Sequence, residues 1–282
     1  MRRFLILAFL GVLLFPFLWL TLARPPRSDK TDILYQGITY TRTALDTPRP
    51  VMLHIVEVDL TAPGVGFLVT PAEVDGSYRG RTTADFLAEF DLQLAINANF
   101  YRANFREPNL LAPISTVISQ GIVQVAHQPD WAALCLHHQQ AIITSGSCPA
   151  GTRDAIAGNV VLVEQGQAVD LARLNFPGRR NQLELAPRTV VATDETGTRL
   201  WLIVVDGRQG QYSEGLTLPE LAEFVAGLGV YRALNLDGGG SSTLVMDGWL
   251  RPRTLNSPIH ARIPTRQREI PVHLGLYALP VE

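Results

Sequence analysis

Residues 217–243 read TLPELAEFVAGLGVYRALNLDGGGSST. Thr217, with Glu220 three positions on, makes a helix-starting capping box. Leu221, Phe224, Val225 and Leu228 then fall on one face, and Gly229 supplies a stop. A short apolar strand follows, in which Leu234 and Leu236 alternate with Asn235, and it ends on Asp237. Each ordered glycine costs up to about 1 kcal/mol of chain entropy relative to alanine, so three in a row after a carboxylate need a reason. Bare backbone at Gly238, Gly239 and Gly240 lets N–H groups approach a ligand closely, and Ser241, Ser242 and Thr243 add short donors. Such a nest suits an anionic or hydroxyl-rich ligand. A tight turn with a solvated aspartate is the plainer reading of the same residues.

This layout of helix, strand and polar loop occurs twice. TTADFLAEF at 82–90 reads as a shorter helix and leads into LQLAINANFY. The rest is mostly strand. VMLHIVEVDL at 51–60 places Met52, His54, Val56 and Val58 on one face. VVLVEQG, RTVVATD, LWLIVVDG and IPVHLGLYAL are short, branched or aromatic, and bounded by turn residues. Long runs of strand with few helices predict an α+β fold: a single strand-rich domain of mostly antiparallel or mixed sheet over residues 33–282.

Two segments precede that domain. Arg2 and Arg3 open the chain, residues 4–23 carry no charge, and Arg24 follows. Residues 1–23 read as an export signal or a retained signal anchor, long enough to reach across a bilayer although Pro16 interrupts them. Residues 24–32 read as a linker. The expected location is outside the cytoplasm, periplasmic or at the cell surface, with the membrane as a partner if the segment is retained. In such a compartment Cys135 and Cys148 can form a disulfide worth about 3 kcal/mol, and two buried thiols are the alternative.

Composition excludes several classes. A net charge of −2 with 18% charged residues leaves no nucleic-acid footprint. Lys30 is the one lysine, so neither a Schiff-base nor a P-loop lysine is available in the body of the chain. Cationic groups at a site must be arginines, which suit two-pronged contacts to phosphate or carboxylate. No zinc spacing, nucleophile elbow or Walker loop is present, and no cofactor is expected.

Three further stretches carry candidates. Asn97 and Asn99 sit two apart at a strand end, before Phe100 and Tyr101, whose faces suit a sugar ring. An Asx turn with core aromatics would look the same. In VVDGRQGQYSEG, Asp206 ends an apolar strand, Arg208 follows, and Ser213 lies before the capped helix. Arg208 suits phosphate oxygens, or it forms an ion pair on a surface turn. In APRTVVATD, Arg188 and Thr189 open a strand.

Taken in order, these pieces resemble the phosphodiester glycosidase family. The matching runs are INANFY, AGNVVLVEQGQ, PRTVVATD, VVDGRQGQYSEGLTLPELAEFVAGLG, ALNLDGGGSSTLV and REIPVHLGLY, from residue 95 to about 277. Ala98 and Asn99 stand where the family has glycines. The resemblance implies hydrolysis of a sugar 1-phosphodiester at the glycosidic C–O bond, in exopolysaccharide or cell-surface glycan metabolism. It implies Asp237 as the leading catalytic carboxylate, with Asp206 as alternative or orienting partner. Arg188, Arg208 and Arg268 would hold the phosphate. Asn97, Asn99, Thr189, Ser213, Gly238, Gly239, Gly240, Ser241 and Ser242 would surround the substrate. Two other readings use the same residues: a glycan-binding module without turnover, and a phosphodiesterase cutting P–O with a metal held by Asp206 and Asp237.

Overall fold

Strand pairing explains the long apolar runs first. In the computed structural model, which describes residues 24–103, 107 and 110–281, an eight-stranded sheet forms the spine. Its strands run in the order Lys30–Tyr35, Ile38–Leu45, Val51–Asp59, Arg199–Val205, Arg188–Thr193, Arg232–Asn235, Val160–Glu164 and Gln167–Ala168. Every neighbouring pair is antiparallel. Both faces are buried, so these strands show little polar alternation. Val56, Val58, Val191, Leu200, Leu202 and Val204 enter one core. Val51, Leu53, Ile55, Val190, Ala192, Trp201, Ile203 and Val205 enter a second core on the opposite face.

The helix Leu218–Ala226 covers that second core with Leu218, Leu221, Ala222 and Val225. Its capping box is formed: Thr217 Oγ1 accepts from the Glu220 N–H, and the Glu220 carboxylate accepts from the Thr217 N–H.

Two five-stranded antiparallel sheets close the first core. One contains Arg253–Thr254, Leu244–Met246, Leu94–Asn97, His273–Tyr277 and Gly66–Val69. The helix Thr83–Glu89 packs on its far side through Phe86 and Leu87. The other contains Gln140–Thr144, Ala132–His137, Asp154–Gly158, Val117–Ser119 and Ile122–Val125. Cys135, in the second of these strands, is disulfide-bonded to Cys148, with Cα atoms 5.7 Å apart. The expected α+β architecture of mostly antiparallel strands is what the structure has. The signal or anchor at 1–23 lies outside the described residues. Among the described residues, no helix is long and apolar enough to cross a membrane.

Register brings the polar strand ends together. Arg188 lies opposite Val205, so Asp206 emerges beside the start of the Arg188 strand. Val190 lies opposite Asn235, and the Leu236 N–H donates to the Thr189 carbonyl. The chain after Asn235 thus leaves the sheet next to Arg188.

Candidate active site

Asp237 stands where two sheets meet. Its N–H donates to the Ala98 carbonyl at 3.0 Å. The Asn97 amide donates to the Asp237 carbonyl at 2.6 Å, and Asn97 Oδ1 accepts from Thr189 Oγ1 and from the Thr243 N–H. Asn97 is therefore a completely buried clamp that holds both ends of the glycine loop.

The loop turns at Gly239, whose φ of 63° favours glycine. The bare backbone also makes room for cations. A Cβ at Gly239 would lie 3.0 Å from Arg208 Nη1, and one at Gly240 would lie 2.6 Å from Arg268 Nη2. Two guanidinium groups thus rest against backbone that only glycine leaves open.

The result is a cleft of about 330 Å³. Asp237, Gly238, Gly239, Gly240, Arg188, Arg208 and Arg268 line it, together with Phe100, Asn159, Glu184 and Asn235. Burial pushes the Asp237 carboxyl up to about 6, against the pull of Ser241, Arg268 and the Gly238 N–H. Asp237 consequently changes charge near neutrality.

Each arginine is held differently. Arg188 is almost fully buried and donates to the carbonyls of Leu216, Asn181 and Glu184. Burial lowers its pKa to about 10, with Glu184 opposing and Arg208 assisting. It remains a cation at neutral pH. Arg208 pairs with the Glu184 carboxylate at 2.7 Å. Arg268 donates from Nε to His260 Nδ1 at 3.2 Å and from Nη1 to Ser241 Oγ at 3.3 Å. An arginine only donates, so His260 Nδ1 must be unprotonated. Burial, Arg268 and Arg266 all lower the His260 pKa, which favours the neutral ring that this contact requires.

Several expected residues lie outside the cleft wall. Asp206 is 1% exposed, and its carboxylate accepts from His54 Nε2, Asn256 Nδ2 and the Ser257 N–H. Its lone pairs are spent on protein donors, so it braces the 257 loop and does not face the cleft. Ser213 accepts from the Met52 N–H and donates to the Asp206 carbonyl. Asn99 joins the carbonyls of Ile114 and Thr116 to the Ala157 N–H. Thr189 Oγ1 donates its one proton to Asn97 Oδ1 at 2.9 Å and lies 3.1 Å from Ser242 Oγ, from which it accepts, and all three side chains are buried. These residues bind the loops to one another, because buried amides and hydroxyls must find partners.

The sequence marks no role for Asn159, Glu184, Asn235 or His260. Asn235 Nδ2 donates to Asn159 Oδ1 at 2.7 Å, whereas Asn235 Oδ1 is buried with no partner among the described residues. Its place in LNL, alternating with core leucines, was the available signal. His260 and Glu184 lie in loops without a motif. Tyr101, whose ring the sequence offers to a sugar, stands near the same groups: burial raises its phenol pKa, and Arg268 and Asp237 both act on it. Among the described residues, no three His, Cys, Asp or Glu side chains are grouped so as to hold a metal ion.

Known proteins share this arrangement of chain. The phosphodiester glycosidase family model matches residues 90–277. The chain is 28% identical over 185 residues to human N-acetylglucosamine-1-phosphodiester alpha-N-acetylglucosaminidase, covering 61% of this chain and 35% of that protein. It is 36% identical over 97 residues to the Bos taurus protein of the same name, covering 34% of this chain and 18% of that one. The chain thus spans little more than a third of these relatives' length at most. Among solved structures, a hypothetical protein from Synechocystis aligns with a TM-score of 0.66 at 17% identity, covering 90% of this chain and 64% of that one. The zebrafish N-acetylglucosamine-1-phosphodiester alpha-N-acetylglucosaminidase catalytic domain, auto-inhibited by its pro-peptide, aligns at 0.61 and 22% identity, covering 92% and 87%. At these identities the two structures support the fold.

Proposed function

The chain belongs to the phosphodiester glycosidase family, and from that premise we propose that its cleft hydrolyses a sugar 1-phosphodiester at the glycosidic C–O bond. The products are free sugar and a phosphate monoester. The observation that carries this reading is the convergence of Arg188, Arg208 and Arg268 on the cleft that holds Asp237.

The chemistry suits those residues. An ordinary glycosidase needs one carboxylic acid to protonate its leaving alcohol and a second carboxylate. A phosphate monoester leaves as an anion, so guanidinium groups and backbone N–H donors can stabilise it without a strong general acid. A single carboxylate then suffices at the sugar. Above its pKa of about 6, Asp237 is ionised and can meet the anomeric carbon or take a proton from water. In the net reaction the C–O bond to phosphate breaks, water supplies the new oxygen on the sugar, and the leaving oxygen stays with phosphorus. Asn235 Oδ1 offers an acceptor to a sugar hydroxyl or acetamide N–H, which fits the N-acetylglucosamine in the relatives' names.

We place this reaction outside the cytoplasm, in exopolysaccharide or cell-surface glycan metabolism. Residues 4–23 would carry the protein there as a cleaved signal or a retained anchor. The disulfide between Cys135 and Cys148 supports an oxidising compartment.

Hydrolysis of UDP-N-acetylglucosamine and a panel of other sugar 1-phosphodiesters in oxygen-labelled water tests the reading. Label is expected in the released sugar. Label in the phosphate product would show P–O cleavage and overturn it. The anomer first released separates the two roles of Asp237: retention marks attack by the carboxylate, and inversion marks attack by water.

A further inference from the structure

A second cavity, of about 560 Å³, opens at the seam between the two five-stranded sheets. It shares no lining residue with the Asp237 cleft. Val65, Phe67 and Leu136 give it an apolar wall, and His138, Gln139 and Arg153 give it a polar rim.

Asp154 lies at its base and is 1% exposed. Its Oδ1 accepts from the N–H groups of Val69 at 3.1 Å and Gln120 at 3.3 Å. Its Oδ2 is buried and has no hydrogen-bond partner among the described residues. Arg153 Nε is 3.8 Å from Oδ2, within reach of its charge but too far for a hydrogen bond. A buried carboxylate oxygen with an unmade bond is destabilising. Nothing in the Asp237 chemistry accounts for keeping one here.

We propose that this cavity is a second binding site, for a neutral saccharide, with a sugar hydroxyl donating to Asp154 Oδ2 and the ring's C–H face against Phe67. The charges select this class. A cation would approach Oδ2 beside the Arg153 guanidinium, and an anion would approach the Asp154 carboxylate. A neutral polyol meets neither repulsion. An apolar wall with a few convergent polar groups is also the usual build of a small-molecule site. The site does not depend on turnover at Asp237. It would hold a glycan chain while the separate cleft works on a terminus.

The test is a titration of the isotope-labelled protein with methyl α-glucoside, methyl α-mannoside and N-acetylglucosamine, followed by amide NMR. At least one of these sugars, at millimolar concentration, is expected to shift the Val69 and Gln120 amides, which report on Asp154. Asp154→Asn turns the Oδ2 acceptor into a donor or misplaces it, and should weaken those shifts about tenfold. Asp237→Asn should leave them unchanged. Arg153→Ala, at a largely exposed side chain, should weaken binding about threefold and stands in if Asp154→Asn does not fold. Three results would overturn the proposal: no shift at these amides with any of the sugars, shifts confined to Gly238–Ser241, or equal shifts with choline chloride.

Discussion

Asp206 and Asp237 look alike in the chain. Each follows an apolar strand, each precedes glycine, and the two strands flank the Arg188 strand in one sheet. Their surroundings differ completely. Asp206 meets an imidazole, an amide and a backbone N–H, all buried. Asp237 faces a cleft that three arginines also line, Arg268 acting on it directly, and is followed by a loop of three glycines. A carboxylate whose lone pairs are all engaged is a structural brace. One raised by burial towards neutrality and open to a cleft is available for chemistry. The difference comes from what the following loop packs against, since the strands that precede the two residues are equivalent.

That contrast is easiest to break by substitution. Asp237→Asn is expected to lower hydrolysis of UDP-N-acetylglucosamine by about a thousandfold or more with the fold retained. Asp206→Asn should leave turnover per folded molecule within about twofold, and cost stability on the order of 2 kcal/mol, because it disturbs a buried hydrogen-bonded cluster. Activity assays paired with urea unfolding measure both. A large turnover defect in folded Asp206→Asn would erase the distinction.

The next effect is on the phosphate side. Arg268→Ala and Arg208→Ala are each expected to lower kcat/KM by about a hundredfold, as loss of a charged donor to a developing anion does. His260→Ala removes the acceptor that orients Arg268, and should give a smaller loss of about tenfold, mostly in kcat. Steady-state kinetics on the three variants ranks them.

The smallest effect is on pH dependence. Because Asp237 must be ionised to act, kcat/KM should rise with pH through about 6 and then level off. The stability sign is opposite. The folded-state pKa is raised from 3.8, so the folded chain holds this proton more tightly and loses stability as pH rises from about 4 through about 6. Asp237→Asn should therefore raise Tm relative to the parent at pH 8 and much less at pH 4. Thermal melts at the two pH values check this.

Much of this was legible in particular residues. The capping box at Thr217 and Glu220, the apolar runs and the Asp-Gly-Gly-Gly turn gave the helix, the sheet and the loop. They did so because backbone geometry and burial act over a few neighbouring residues. Asn97 and Asn99 show the limit. A strand-end amide looks the same whether it meets a ligand or a neighbouring loop, and here the partners of Asn97 lie 92 and 146 positions away. His260 and Glu184 gave no local sign, since His260 matters through Arg268 and Glu184 through Arg208 and Arg188.

The sequence by itself determined the strand-rich fold, the arginine-only chemistry of any cationic site and a glycine loop able to admit a ligand. Only the tertiary structure decided which aspartate faces the cleft, which arginines meet over Gly239 and Gly240, and which polar side chains are braces. Hydrophobic periodicity and turn chemistry are properties of short segments. A carboxylate's role depends on its desolvation and its donors, which come from strands and loops that the fold alone brings together.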